Sequence, residues 1–257
     1  MRIFRFKGFK GLKEKGRKAR RLTPISFRRI VPNMVTSGNL LCGMFSLILA
    51  VNGRFVPAAW MVFFAVIFDG LDGKVARSLG GGSQFGLEFD SLADLVSFGV
   101  APGIMAYLSS MRDIGMLGAV AACFFALCVA LRLARFNVVH VPGPFQGLPS
   151  PAGGLFVASF TLAGVSLGGH LTAAVLAATG LLMVSSVPYA NLKKLTKKSA
   201  DRRRCGLVGA MVTASFAFLG SAAPLALFII YIASGLLRFD WGEWMLAREY
   251  QNAAEQP

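Results

Sequence analysis

Acidic residues are scarce in this chain. Twelve Asp and Glu stand against twenty-seven Lys and Arg in 257 residues, and all four charged types together make up only 15%. A soluble domain carries about 25%, so an ordinary soluble enzyme is excluded. An apolar content of 55% and a mean hydropathy of +0.60 exclude a disordered chain as well. Histidine occurs twice, at His140 and His170, which leaves no His-rich metal site. Of the four cysteines, Cys42, Cys123 and Cys128 lie in apolar runs and Cys205 lies beside a basic one. They have neither zinc-site spacing nor the look of an extracellular disulfide framework. Residues 1–30 hold a single Ser, Ser26, too little for an organellar transit peptide.

What the chain does have is long apolar runs. Eight approach the roughly 20 residues that a spanning helix needs: 34–52, 56–76, 89–109, 115–136, 152–168, 171–191, 206–221 and 222–237. The first continues without a cleavage pattern and reads as an uncleaved helix. With the N-terminus placed in the cytoplasm, the cytoplasmic segments hold twenty-five Lys and Arg and the outer loops hold two, Arg54 and Arg112. That asymmetry follows the positive-inside rule and favours an even number of spans. The expected fold is an all-α integral membrane protein with about eight transmembrane helices and both termini cytoplasmic. A basic juxtamembrane segment occupies 1–30, the membrane domain 31–238 and a tail 239–257. Six spans, with 152–191 or 206–237 re-entrant, is the rival count. Phe4, Phe6, Phe9 and Leu12 among the N-terminal cations suit a short interfacial helix. The basic clusters suit anionic lipid head groups rather than nucleic acid, because so little of the chain is left for a soluble face.

Five of the twelve acids fall between 69 and 94: Asp69, Asp72, Glu88, Asp90 and Asp94. A carboxylate at membrane depth costs about 2.5–3.5 kcal/mol even on lenient insertion scales, and such residues are functional by default. Asp69 and Asp72 are three apart, and Asp90 and Asp94 are four apart, so each pair shares a helix face. The two helices are antiparallel neighbours joined by a turn at Gly80, Gly81 and Gly82, so four carboxylates converge on the cytoplasmic side. Clustered hard oxygen ligands suit Mg2+, Mn2+ or Ca2+. Pairing with Lys74 and Arg77 as helix-end glue is the bland alternative. Glu88 reads as an exposed interfacial acid outside the site.

The run Asp69-x-x-Asp72-Gly73-x-x-Ala76-Arg77, followed after eight residues by Gly86-x-x-x-Asp90-x-x-x-Asp94, resembles the signature of the CDP-alcohol phosphotransferase family at every defining position. The resemblance implies two divalent cations, Mg2+ or Mn2+, held by Asp69, Asp72, Asp90 and Asp94, with Asp94 also the general base. It implies that Gly73, Ala76, Arg77 and Gly86 contact the CDP group of a CDP-linked lipid. Missing Cβ atoms at Gly73 and Gly86 and the cationic fork of Arg77 agree with that role. Asn33 and Thr36, at the start of the first span, read either as helix-start punctuation or as part of the cytidine pocket.

A second stretch, Arg132 to Asn137 followed by Gly147-Leu148-Pro149-Ser150-Pro151, resembles the phosphatidylserine synthase branch of the family. That implies CDP-diacylglycerol as donor, L-serine as acceptor, and a homodimer. Arg132, Arg135 and Asn137 are the candidates for holding acceptor or phosphate, and the two arginines also read as plain positive-inside anchors. Other acceptors within the class are glycerol 3-phosphate, an inositol phosphate or choline. Outside it, a cation transporter would need charges spread through the membrane depth.

Overall fold

The computed structural model describes residues 27–78, 83–138, 145–189, 201–239 and 241–245. The N-terminal basic segment with its expected interfacial helix, the Gly80–Gly82 turn, His140, the basic run from Lys193 to Lys198 and most of the C-terminal tail lie outside these residues.

Helix α1 (Phe27–Val51) and helix α2 (Phe55–Ser78) form an antiparallel hairpin through a turn at Asn52, Gly53 and Arg54. Their contact runs along Ala58, Ala59, Val62 and Ala65 of α2, all fully buried. Small residues at helical spacing let two backbones approach closely, which is how helices pack where lipid removes the hydrophobic driving force. Ser46 of α1 reaches across to donate to the Ala58 carbonyl at 2.9 Å.

The third apolar run is one continuous helical path, Gln84–Ile114. It contains α3 (Gln84–Asp94), a π-turn at Leu95–Val100, α4 (Ala101–Ala106), a second π-turn at Tyr107–Met111 and a 3-10 turn. Helix α3 starts five residues before the expected 89 because Ser83 caps it, its Oγ accepting from the Gly86 N–H at 3.0 Å. The first π-turn has a local cause. Pro102 has no N–H to give to the Phe98 carbonyl four residues back, and Gly154 packs against that same backbone. Ser97, inside the π-turn, donates to the Asn39 carbonyl of α1 at 2.9 Å. A Cβ at Gly43 would stand 2.5 Å from Ser97 Oγ, so only glycine lets α1 and the third run close.

Helix α5 (Met116–Val138) packs on α7 (Gly169–Val184), and α6 (Ser150–Leu162) threads between them and the α1–α2 hairpin. A two-residue antiparallel bridge, β1 (Phe145–Gln146) with β2 (Pro188–Tyr189), ties the segment before α6 to the segment after α7. Helices α8 (Arg202–Leu219) and α9 (Ala223–Leu236) follow, broken at Gly220 with φ 53°. A short α10 (Trp241–Trp244) ends the described chain.

Each expected span coincides with a helix, and the membrane all-α fold holds. Among the described residues, five helical runs are long and apolar enough to cross a bilayer, one of them the 34-residue stretch that Gly220 divides. Helices α6 and α7 are shorter than expected. Helix α6 stops at Leu162 before the positive-φ Gly164, and α7 stops at Val184 because the chain turns extended to form the bridge.

Gly43→Ala is expected to lower unfolding stability by about 1–3 kcal/mol, as overpacking does. Gly209→Ala, where a Cβ meets nothing within 4 Å, is expected to be neutral or stabilising. Thermal unfolding of both variants in detergent checks the opposite signs.

Candidate active site

Helices α2 and α3 deliver the acids, and α1 receives them. Asp69, Asp72 and Asp90 each offer a carboxylate oxygen within 4.8 Å of the others. Asp72 is 6% exposed and accepts from Thr36 Oγ1 at 3.0 Å. Asp94, 7% exposed, lies one turn beyond Asp90 and outside that trio, where it accepts from Asn39 Nδ2 at 2.9 Å. Asn33, at the start of α1, lies where a Cβ on Gly86 would come 3.2 Å from its Oδ1. Residues 33, 36 and 39 therefore form one polar stripe of α1 facing the acids. Asn39, fully buried, was not among the sequence candidates. Its signal was its position three residues after Thr36, on the same helix face.

No ion pair joins Asp72, Asp90 or Asp94 to a Lys or Arg among the described residues. Arg77 is exposed and turns back on its own helix, Nε donating to the Gly73 carbonyl at 2.9 Å. The helix-end-glue reading is thus not what the geometry shows for these three acids. One observation tests whether the cluster fits a cation. Asp90 Oδ1 is buried and has no hydrogen-bond partner, a costly state for a carboxylate oxygen unless something positive meets it. An all-carboxylate set of hard oxygens fits a divalent cation. The space beside Gly73 is open, since a Cβ there meets nothing within 4 Å, and Ala76 lies one turn along on the same helix.

A cavity of about 390 Å³ opens from this cluster. Asp69, Asp90 and Asp94 form one wall, with Ser91 between them. Arg132 and Asn137 of α5, Ser150 at the start of α6, and Tyr231 of α9 form the others. Arg132 donates to Ser150 Oγ at 2.8 Å, while its Nε is buried without a partner. Asn137 donates to Ser91 Oγ at 3.0 Å and to Glu88 Oε2 at 3.3 Å, so it ties α5 to α3 at the cavity edge. Glu88 is exposed. Arg135 is placed elsewhere. It donates to Gln146 Oε1 and to the Val184 carbonyl, bracing the β1 and α7 ends, and is not part of the cavity wall.

The loop before α6 is fixed by Gly147. Its φ of 81° suits glycine, and a Cβ there would lie 2.2 Å from the Met183 carbonyl oxygen. Gly147 N–H donates to Val187 and Leu148 N–H to Leu182, which sets Ser150 over the cavity. Tyr189, 1% exposed, packs its ring tilted against that of Tyr231, with centroids 5.5 Å apart. Burial pushes its phenol above the ordinary range. Ser150 lies in the stretch that carries the second resemblance but has no role assigned from sequence, and Tyr231 is not a sequence candidate. Tyr231 sits in a featureless apolar run and meets the acids only through tertiary packing.

Comparison with known proteins adds the following. A family profile described as CDP-alcohol phosphatidyltransferase matches residues 29–188. A Helicobacter pylori protein named CDP-diacylglycerol–serine O-phosphatidyltransferase is 35% identical over 226 residues, covering 84% of this chain and 93% of that protein. A Bacillus subtilis protein of the same name is 33% identical, covering 68% of this chain and 97% of that one. A Methanothermobacter thermautotrophicus protein named archaetidylserine synthase is 38% identical over 163 residues, covering 62% of this chain and 69% of that protein.

Asp72→Asn and Asp90→Asn are each expected to weaken Mn2+ binding by about tenfold or more, the loss of one charged contact of about 1.4 kcal/mol or above. Electron paramagnetic resonance of free Mn2+ measures this without any turnover, and an unchanged gel-filtration profile in detergent controls for folding.

Proposed function

The chain belongs to the CDP-alcohol phosphatidyltransferase family, and we propose that it transfers a phosphatidyl group from CDP-diacylglycerol to the hydroxyl of L-serine, giving phosphatidylserine and CMP. The observation that carries the reading is one cavity lined by Asp90, Asp94 and Arg132 together. One wall holds carboxylates suited to phosphoryl chemistry, and the opposite wall holds a cation suited to a small acceptor with a carboxylate. The names of the H. pylori and B. subtilis relatives support serine.

Asp69, Asp72 and Asp90, with Asp94 beside them, would hold two divalent cations, Mg2+ or Mn2+. Such cations would supply Lewis-acid stabilisation of the charge that builds on the pyrophosphate as CMP leaves. Thr36 fixes the Asp72 carboxylate, and Asn39 fixes one oxygen of Asp94. The other Asp94 oxygen takes the serine hydroxyl proton. The serine oxygen then bonds to the lipid-side phosphorus as the bond to the CMP oxygen breaks. Gly73, Ala76, Arg77, Gly86 and Asn33 surround the CDP group, with Gly73 leaving room for a phosphate close to the backbone. Arg132 and Asn137 position the acceptor, Arg132 through charge-assisted bonds to the serine carboxylate. Arg135 is left as a strut.

The lysine and arginine asymmetry supports an N-terminus in the cytoplasm and a site on the cytoplasmic face of the cell membrane. There a water-soluble acceptor meets a lipid donor, and the basic flanks meet anionic head groups. Homodimerisation is proposed from the resemblance alone.

Purified protein with Mn2+, CDP-diacylglycerol and radiolabelled serine is expected to form labelled lipid. Labelling with glycerol 3-phosphate or an inositol phosphate but not with serine would overturn the acceptor. Asp94→Asn is expected to lower kcat by about 10²-fold or more while the protein stays folded. In the same assay, Arg132→Lys is expected to raise the serine KM by about tenfold, the loss of a bidentate contact. Arg135→Lys is expected to leave that KM within about twofold.

A further inference from the structure

Among the described residues that line the acceptor cavity, Tyr231 alone comes from outside the stretch 29–188 that the family profile matches. The wall carrying the carboxylates and the wall carrying Arg132 belong to the shared core. The wall carrying Tyr231 is α9, which supplies none of the reacting groups. A residue that touches the acceptor space without taking part in phosphoryl transfer is free to select the acceptor.

The packing shows that Tyr231 is held in place. Tyr189 is buried at 1% exposure, and its ring lies 5.5 Å from that of Tyr231 at 39°. One turn further along α9, a Cβ at Gly235 would lie 2.1 Å from the Tyr189 ring, so Tyr189 seats on a bare stretch of helix. Tyr189 is also one of the two residues of β2, paired with Phe145, and nearby Val187 accepts from the Gly147 N–H in the loop that leads to Ser150. The clamp that sets Ser150 beside Arg132 therefore also sets α9 against the cavity. Tyr231 and Ile232 pack on the same buried cluster as Phe125, Val129 and Leu133 of α5, the helix that carries Arg132.

We propose that Tyr231 is an acceptor-selecting residue, its ring and hydroxyl closing the cavity around an alcohol of amino-acid size held by Arg132. The inference rests on the functional reading above. A ring at this wall removes the volume that a sugar alcohol or a glycerol phosphate would need. Size discrimination by an apolar wall is worth about 10- to 200-fold. Contact with the bound acceptor alters binding of that substrate and not of the lipid donor.

The test uses the full chain in detergent with Mn2+ and CDP-diacylglycerol, comparing the wild type with Tyr231→Ala, Tyr231→Leu and Tyr231→Phe. Serine, glycerol 3-phosphate and inositol phosphate are offered as acceptors. Tyr231→Ala is expected to raise the serine KM about tenfold or more, to leave the CDP-diacylglycerol KM within about twofold, and to gain turnover with a larger acceptor. Tyr231→Phe keeps the ring against Tyr189, so any rise in its serine KM isolates the hydroxyl. A serine KM within twofold of wild type in Tyr231→Ala, with no new acceptor, overturns the proposal. So does an equal loss with every acceptor and both substrates, which is the mark of a packing role only. If Tyr231→Ala fails to fold, Tyr231→Leu and Tyr231→Phe decide, and an unchanged serine KM in both overturns it. A wild type that labels no lipid with serine takes down the functional reading and this inference together. An active wild type with indifferent variants removes Tyr231 alone.

Discussion

Carboxylates that must stand close together, at helix ends in a mostly apolar protein, are the constraint on which the rest of the structure depends. Two like charges 4 Å apart repel by about 4 kcal/mol at an effective dielectric of 20, and three acids here bring oxygens within 4.8 Å of one another. Such an arrangement needs hydrogen-bond donors that offset the repulsion. Thr36 and Asn39 are the donors, and both stand on α1. So α1 has to lie against α2 and α3 closely enough for 3 Å bonds. The Ala stripe of α2 and the bare Gly43 beneath Ser97 are what permit that approach. The helix packing of the N-terminal half is a device for keeping acids together.

The π-turn after Asp94 belongs to the same device. Asp94 and Ser97 are three residues apart and share a helix face, and both engage Asn39, one through its side chain and the other through its carbonyl, where the turn widens and Pro102 removes a donor. Asn39 thereby reports on the register of two helices at once.

Much of this is legible in the residues. Asp69, Asp72 and Asp90 can be grouped from spacing because i, i+3 and i, i+4 positions share a face and because acids are so rare in the chain. The helices appear as apolar runs because lipid demands them. Other features depend on contacts that local pattern does not encode. Arg132 and Arg135 look equivalent on paper, three apart on one helix end. Tertiary structure sends one to the cavity and the other to Gln146 and the Val184 carbonyl. Asp94 looks like a fourth member of the cluster, yet Asn39 gives it a partner of its own. Tyr231 is invisible because its one polar neighbour in sequence, Ser234, turns back to the Tyr231 carbonyl and marks no site, and the bridge that places it joins residues more than forty positions apart.

Helix α6 is thirteen residues long, about 20 Å at 1.5 Å per residue, against a hydrocarbon core of about 30 Å. A lipid-facing helix of that length would force the bilayer to thin around it. Nine of its residues are buried, so its neighbours are other helices rather than acyl chains. Its length therefore answers to no hydrophobic matching. Ser150, in the first turn of α6, lines the cavity beside Arg132, so adding or removing a turn there would shift that lining residue without changing how the protein fits its membrane.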